Sequence, residues 1–135
     1  MTEKIVYEFQ HFGGKAPKFG GITTIVEQID HGVFSYRYSI CSPRDIFCKK
    51  IGVAFAQADQ AKIVEADYTI RSFDAIMCDI YADMLRVEKV RLEQFQIKNS
   101  FSLELIEAAF YKHRNRLLDY LCDRLTNKLP KTSFV

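Results

Sequence analysis

Apolar residues recur at every second position in the first part of this chain and at every third or fourth position in its last half. That change of period constrains the fold most. A strand shows alternate residues to one face, whereas a helix shows i, i+3, i+4 and i+7. "VFSYRYSIC" (33–41) alternates throughout, with Phe34, Tyr36, Tyr38 and Ile40 on one side and Ser35, Arg37 and Ser39 on the other. "KIVYEFQH" (4–11) alternates more loosely, and "ITTIVEQI" (22–29) is β-branched, as strands prefer. "DHG" (30–32) is a hairpin connection. Three such segments on short connections imply an antiparallel meander. "KIVEADYTI" (62–70) reads as a fourth strand or as a continuation of the helix before it.

From Ser72 the period is helical. Phe73, Met77, Ile80, Met84, Val87 and Val90 or Arg91 trace one stripe as far as Ile97, and "KNS" (98–100) is a turn. Ser100 or Ser102 then caps a second helix with Leu103, Ile106, Phe110, Leu117, Leu121 and Leu125 on its inner face, and Pro130 stops it. Two such helices form an antiparallel helical hairpin. The expected fold is α+β in a single domain, 1–135. A small antiparallel sheet of three or four strands plus a short helix fills 1–71, and the hairpin fills 72–129. Helices of roughly 35–40 Å overhang so small a sheet. Their remaining apolar positions point to a homo-oligomer built through them.

The net charge of +2 over 135 residues excludes a molecule that is basic as a whole, so any nucleic-acid case must rest on local patches. No apolar run approaches the ~18 residues of a membrane span, and the N-terminus lacks the apolar segment of a signal peptide. The expectation is a cytoplasmic protein with no membrane partner. Cys41, Cys48, Cys78 and Cys122 are widely spaced with no C-x-x-C. They read as buried reduced thiols rather than zinc ligands or a disulfide framework. No metal and no cofactor is expected.

The stretch "YSICSPRDIFCKK" (38–50) reads first as a strand-to-helix corner, with Ser42 at the N-cap, Pro43 at N1 and Asp45 at N3. Phe47, Ile51, Ala54, Phe55 and Ala58 then recur at helical spacing. A catalytic reading finds little to stand on. Ser42 with His11 or His31 and Asp45 lacks a nucleophile-elbow sequence. Cys41 or Cys48 lacks an orienting histidine. No P-loop or dinucleotide fingerprint is present, so no enzyme is expected.

An anion site is better supported. Arg44 falls in the first turn of the expected helix, where free N–H groups favour negative charge, and Lys49 and Lys50 follow one turn on. "KHRNR" (112–116) brings together Lys112, His113, Arg114 and Arg116. Lys112 and Arg116 repel at i, i+4. Either an anionic ligand or acids such as Asp79, Asp83 or Asp119 would relieve this. "FGGKAPKFGG" sets Lys15 and Lys18 among four glycines and two phenylalanines. Such a loop suits single-stranded nucleic acid or a lid over a phosphorylated ligand. Each of these groups also reads as solvated surface.

The pattern Y-S-x-C-S-P-x-D-x-F-x-K-K-x-G, carried by Tyr38, Ser39, Cys41, Ser42, Pro43, Asp45, Phe47, Lys49, Lys50 and Gly52, resembles a motif of small bacteriophage and prophage proteins. It covers about fifteen residues, and Val53 stands where a basic residue often follows the glycine. The resemblance implies a phage-type accessory protein acting in the host cytosol. One such kind sequesters nucleotide signals, as antagonists of the Thoeris defence system do; another binds single-stranded DNA as a transcription cofactor. The expected partner is thus a nucleotide-derived small molecule or a single-stranded nucleic acid. An inhibitor that binds a host protein is the third reading.

Overall fold

The computed structural model describes residues 5–11, 18–66, 73–98 and 101–128. Lys15 and most of the glycine loop, Tyr68, Ile70, Ser72, Ser100 and Pro130 lie outside them. Four antiparallel strands form one sheet in the order β1 (Ile5–Gln10), β2 (Phe19–Asp30), β3 (Val33–Ile46) and β4 (Lys62–Glu65). Helix α1 (Lys49–Ala58) connects β3 to β4, and α2 (Phe73–Gln94) and α3 (Phe101–Lys128) follow. The fold is therefore α+β, with a helical C-terminal half.

The β2–β3 turn is His31–Gly32. Gly32 takes φ +77°, a conformation closed to most side chains. Register puts Ile22, Val26, Phe34, Tyr36 and Tyr38 on one face of the sheet. There they meet Met77, Ile80, Tyr81 and Met84 of α2 and Leu105, Ile106 and Ala109 of α3. This is the core. Helix α2 ends in a Schellman motif. Gln96 adopts φ 54°, its N–H donates to Glu93 C=O (3.2 Å), and Ile97 N–H donates to Leu92 C=O (2.9 Å).

Four expectations are corrected. No helix begins at Ser42, Pro43 and Asp45. β3 runs on to Ile46, where Ile46 pairs with Phe19 and Phe47 N–H donates to Lys18 C=O (2.8 Å). Gly21 pairs with Cys41, so residues 42–45 stand opposite the single Gly20 and form a bulge. Within it, Ser42 Oγ accepts the N–H of Arg44 (3.2 Å), the local turn that competes with a helix cap. Pro43 needs no ladder partner there. The helix starts at Lys49, behind Cys48, without a side-chain cap.

Second, Phe47 precedes α1 and packs its half-buried ring edge-on to Phe9 of β1, while α1 does not face the sheet with Ile51, Ala54, Phe55 and Ala58. It turns Gly52 and the buried Ala56 inward. Gly52 sits so close to Thr23 that a Cβ would collide with its hydroxyl, and its carbonyl accepts Ser39 Oγ–H (2.7 Å). A helix backbone pressed this close buries small residues and sends the large ones outward.

Third, the inner stripe of α3 is Ser102, Leu105, Ile106, Ala109 and His113, with Phe110 beside it and Leu125 exposed. α2 buries Tyr81, Glu88 and Leu92 as well as the expected residues, while Phe73 and Val90 are exposed. Fourth, the cysteines are free thiols but not all buried. Cys48 and Cys122 are exposed, and Cys41 and Cys78 are half-buried.

Candidate functional site

The basic residues singled out in the sequence do not converge. Arg44 is exposed in the β3 bulge, not in the first turn of a helix. Lys49 and Lys50 are exposed at the start of α1, with Lys49 Nζ 5.0 Å above the ring of Phe9. Lys18 is half-buried, and its carbonyl is taken by Phe47. Lys112, Arg114 and Arg116 lie on α3, across the sheet from α1. Phe9, under Lys49, and Glu8, which Lys112 approaches to 3.6 Å, are adjacent in β1 and point to opposite faces.

The acids near "KHRNR" are also not those expected. His113 bonds Glu8 of β1 through Nε2 and Asp74 of α2 through Nδ1 (2.7 Å), and stacks on Tyr81 with ring centroids 5.7 Å apart. Tyr81 donates its hydroxyl to the same Glu8 oxygen (3.0 Å). Each ring nitrogen of the enclosed imidazole faces a carboxylate oxygen. Burial alone would raise the pKa of Glu8, but the hydrogen bond and charge of His113, with Lys112, hold it below the usual carboxylate range. His113 is fully enclosed, so the cluster ties β1, α2 and α3 together rather than facing a ligand.

A parallel set of ties runs along α2. Tyr36 donates to Asp83 (2.7 Å), which also takes Arg86 (2.8 Å). Tyr38 donates to Glu88 (2.9 Å), which receives both arms of Arg91 (2.6 and 2.8 Å). Glu88 is fully buried. Desolvation would raise its pKa, yet the hydrogen bonds from Arg91 and Tyr38 keep it below the ordinary value. Burial and the neighbouring carboxylates push the hydroxyls of Tyr36 and Tyr38 well up, so both remain protonated donors.

Two clefts meet at the free side of β3. On the α1 face, a cavity of about 470 Å³ lies between α1 and the bulge, walled by Ile40, Ile46, Phe47, Ile51 and Phe55, with Cys41 and Cys48 among its polar lining. Thr23, 1% exposed, also lines it, and its hydroxyl has no hydrogen-bond partner among the described residues. The Cys41 thiol points at the bulge carbonyls of Ser42 and Asp45 (both 3.6 Å), and burial pushes its pKa up, which suits packing rather than attack. On the opposite face, a cavity of about 440 Å³ is lined by Tyr38, Asp59, Lys62, Glu88 and Arg91, and shares Ser39 and Ile40 with the first. The stretch 38–50 thus forms much of the first cleft's wall, though not through a helix cap.

Among the described residues, no group of three or more His, Cys, Asp or Glu side chains could hold a metal ion, and no helix is long and apolar enough to cross a membrane. No protein-family model matches the chain, and no curated protein or solved structure shows significant similarity to it. The side chains themselves must carry the functional reading. Sequence periodicity missed Glu8, Asp74, Glu88 and Thr23, because each matters through a partner on another element. Only the polar residues interrupting apolar stripes, Glu88 in α2 and His113 in α3, hinted at them.

Proposed function

We propose that this protein acts by binding another protein, as a non-enzymatic accessory factor of the phage type that the Tyr38–Gly52 motif resembles. The observation that carries this reading is the apolar surface around the bulge and α1. Ile46 is 59%, Ile51 57% and Phe55 67% exposed. Ile63 of β4 and Ile5 and Tyr7 of β1 are exposed too, and register places them on the same face of the sheet. Large apolar residues exposed together on one side of a small protein mark an interaction surface. A nucleotide site would need cations gathered in one pocket. Here Lys62 and Arg91, the cations of the polar cleft, are neutralised by Asp59 and Glu88.

The test compares wild type with the Ile51→Asp/Phe55→Asp variant, both checked for folding by circular dichroism. Each is used to capture proteins from bacterial lysate and is titrated with nucleotides and single-stranded oligonucleotides. A protein retained by wild type and lost by the variant is expected, with no nucleotide or oligonucleotide binding. Micromolar nucleotide or oligonucleotide binding that the variant preserves would overturn the proposal.

A further inference from the structure

We infer that the partner docks as an added β-strand along the open side of β3, presenting an apolar side chain followed by a neutral polar one; the inference rests on the protein-binding reading above. β4 pairs only with Val33–Tyr36, so among the described residues β3 has, from Arg37 onward, β2 on one side and no strand on the other. Tyr38 shows which way the backbone faces, because its N–H donates outward to Asp59 (3.1 Å), a carboxylate held by Lys62 at 2.6 Å. Two-residue alternation turns the N–H and C=O of Ile40 to the same open side. The ladder with β4 has ended by then, and no described group takes them. They are the hydrogen-bonding template that an incoming strand completes.

The clefts supply the side-chain pockets. Successive residues of a strand point to opposite faces, and here one cleft lies on each face, both touching Ser39 and Ile40. A strand laid beside Ile40 therefore drops one side chain into the cavity walled by Ile46, Phe47, Ile51 and Phe55, and its neighbour into the one lined by Tyr38, Lys62 and Arg91. The first pocket suits a leucine- to phenylalanine-sized residue. In the second, both cations are already paired with Asp59 and Glu88. A charged side chain would meet attraction and repulsion together, so a neutral hydrogen-bonding residue fits. At the bulge end, exposed Arg44 and Lys50 outnumber Asp45, which favours an acidic residue next along the peptide.

The experiment selects binders from a phage-displayed library of random peptides and measures synthetic versions by fluorescence anisotropy. Each selected peptide is also N-methylated one amide at a time. An added strand bonds β3 through alternate amides only. Methylation should then weaken binding roughly tenfold or more at every second position and little between them, since a lost strand hydrogen bond leaves a buried group unpaired. Hydrogen exchange of the Ile40 amide should slow at least about tenfold on peptide addition, and Phe55→Asp should weaken binding by a similar factor. Peptides sensitive at every third or fourth position, or an Ile40 amide that exchanges unchanged, overturn strand addition and leave the protein-binding reading intact. So does a library with no binder while wild type still captures a protein that Ile51→Asp/Phe55→Asp loses. Self-association that peptide competes away overturns the assignment of a foreign partner. Failure of both capture and selection overturns both readings.

Discussion

Under α2 and α3, the sheet buries charged groups and pairs every one it buries, whereas under α1 it leaves large apolar groups in contact with water. The difference lies in how each helix approaches. α2 and α3 stand off the sheet at side-chain distance, leaving room for Tyr36, Tyr38, Tyr81, Glu8, Glu88 and His113 to interleave and satisfy one another. α1 presses its backbone onto Thr23 through Gly52, so its bulky residues have nowhere to go but outward. One face has its partners within the chain; the other leaves Ile46, Ile51 and Phe55 exposed.

The most disruptive change should be His113→Ala. It strips the common partner from Glu8 and Asp74, and breaking a buried ionic cluster on one side costs about 3–5 kcal/mol. Urea unfolding should show that loss. A loss under about 1 kcal/mol would mean the cluster is not sealed, and the contrast between the two faces would weaken. Acid probes the same face. Glu8 and Glu88 both have pKa values lowered by folding, so their contribution is present above the unfolded carboxylate value of about 4.3 and fades as pH falls through their folded values. Stability should thus drop on acidification through and below that value, and Glu88→Gln should flatten the drop. On the α1 face, Gly52→Ala should cost about 1–3 kcal/mol by forcing the helix off Thr23, read by the same unfolding curves. Gln96→Gly should instead stabilise the α2 end by about 1 kcal/mol, because glycine adopts φ 54° without strain.

The strands, the hairpin turn and both long helices were legible because their periods are set by burial on the large face. Tyr36 and Tyr38 pointed to the core as alternation requires. The helix start at Ser42–Pro43–Asp45 was not, although those residues fit one locally. Continued pairing of Phe19 with Ile46 outweighed local capping and turned the same residues into a bulge. The burial of α1 was misread because amphipathic spacing tracks large apolar residues, while the contact was made by Gly52 and Ala56. Helical spacing points to Asp79, Asp83 or Asp119 beside "KHRNR", whereas the acids that reach His113 are Asp74 at the start of α2 and Glu8 in β1. The cleft on the α1 face was legible as a stretch, 38–50, but not as a shape.

The clasp between Glu8 and His113 joins residues 105 positions apart. The meander pairs strands adjacent in sequence and the hairpin pairs adjacent helices, so both can assemble from short loops with little entropy lost. The clasp must wait until sheet and hairpin have met. It therefore belongs to the final stage of folding and sets how long the native state lasts rather than how fast it forms. In stopped-flow measurements, His113→Ala should leave the folding rate nearly unchanged and carry almost all its effect in faster unfolding. The first strand and the last helix would then serve as the latch that governs its lifetime.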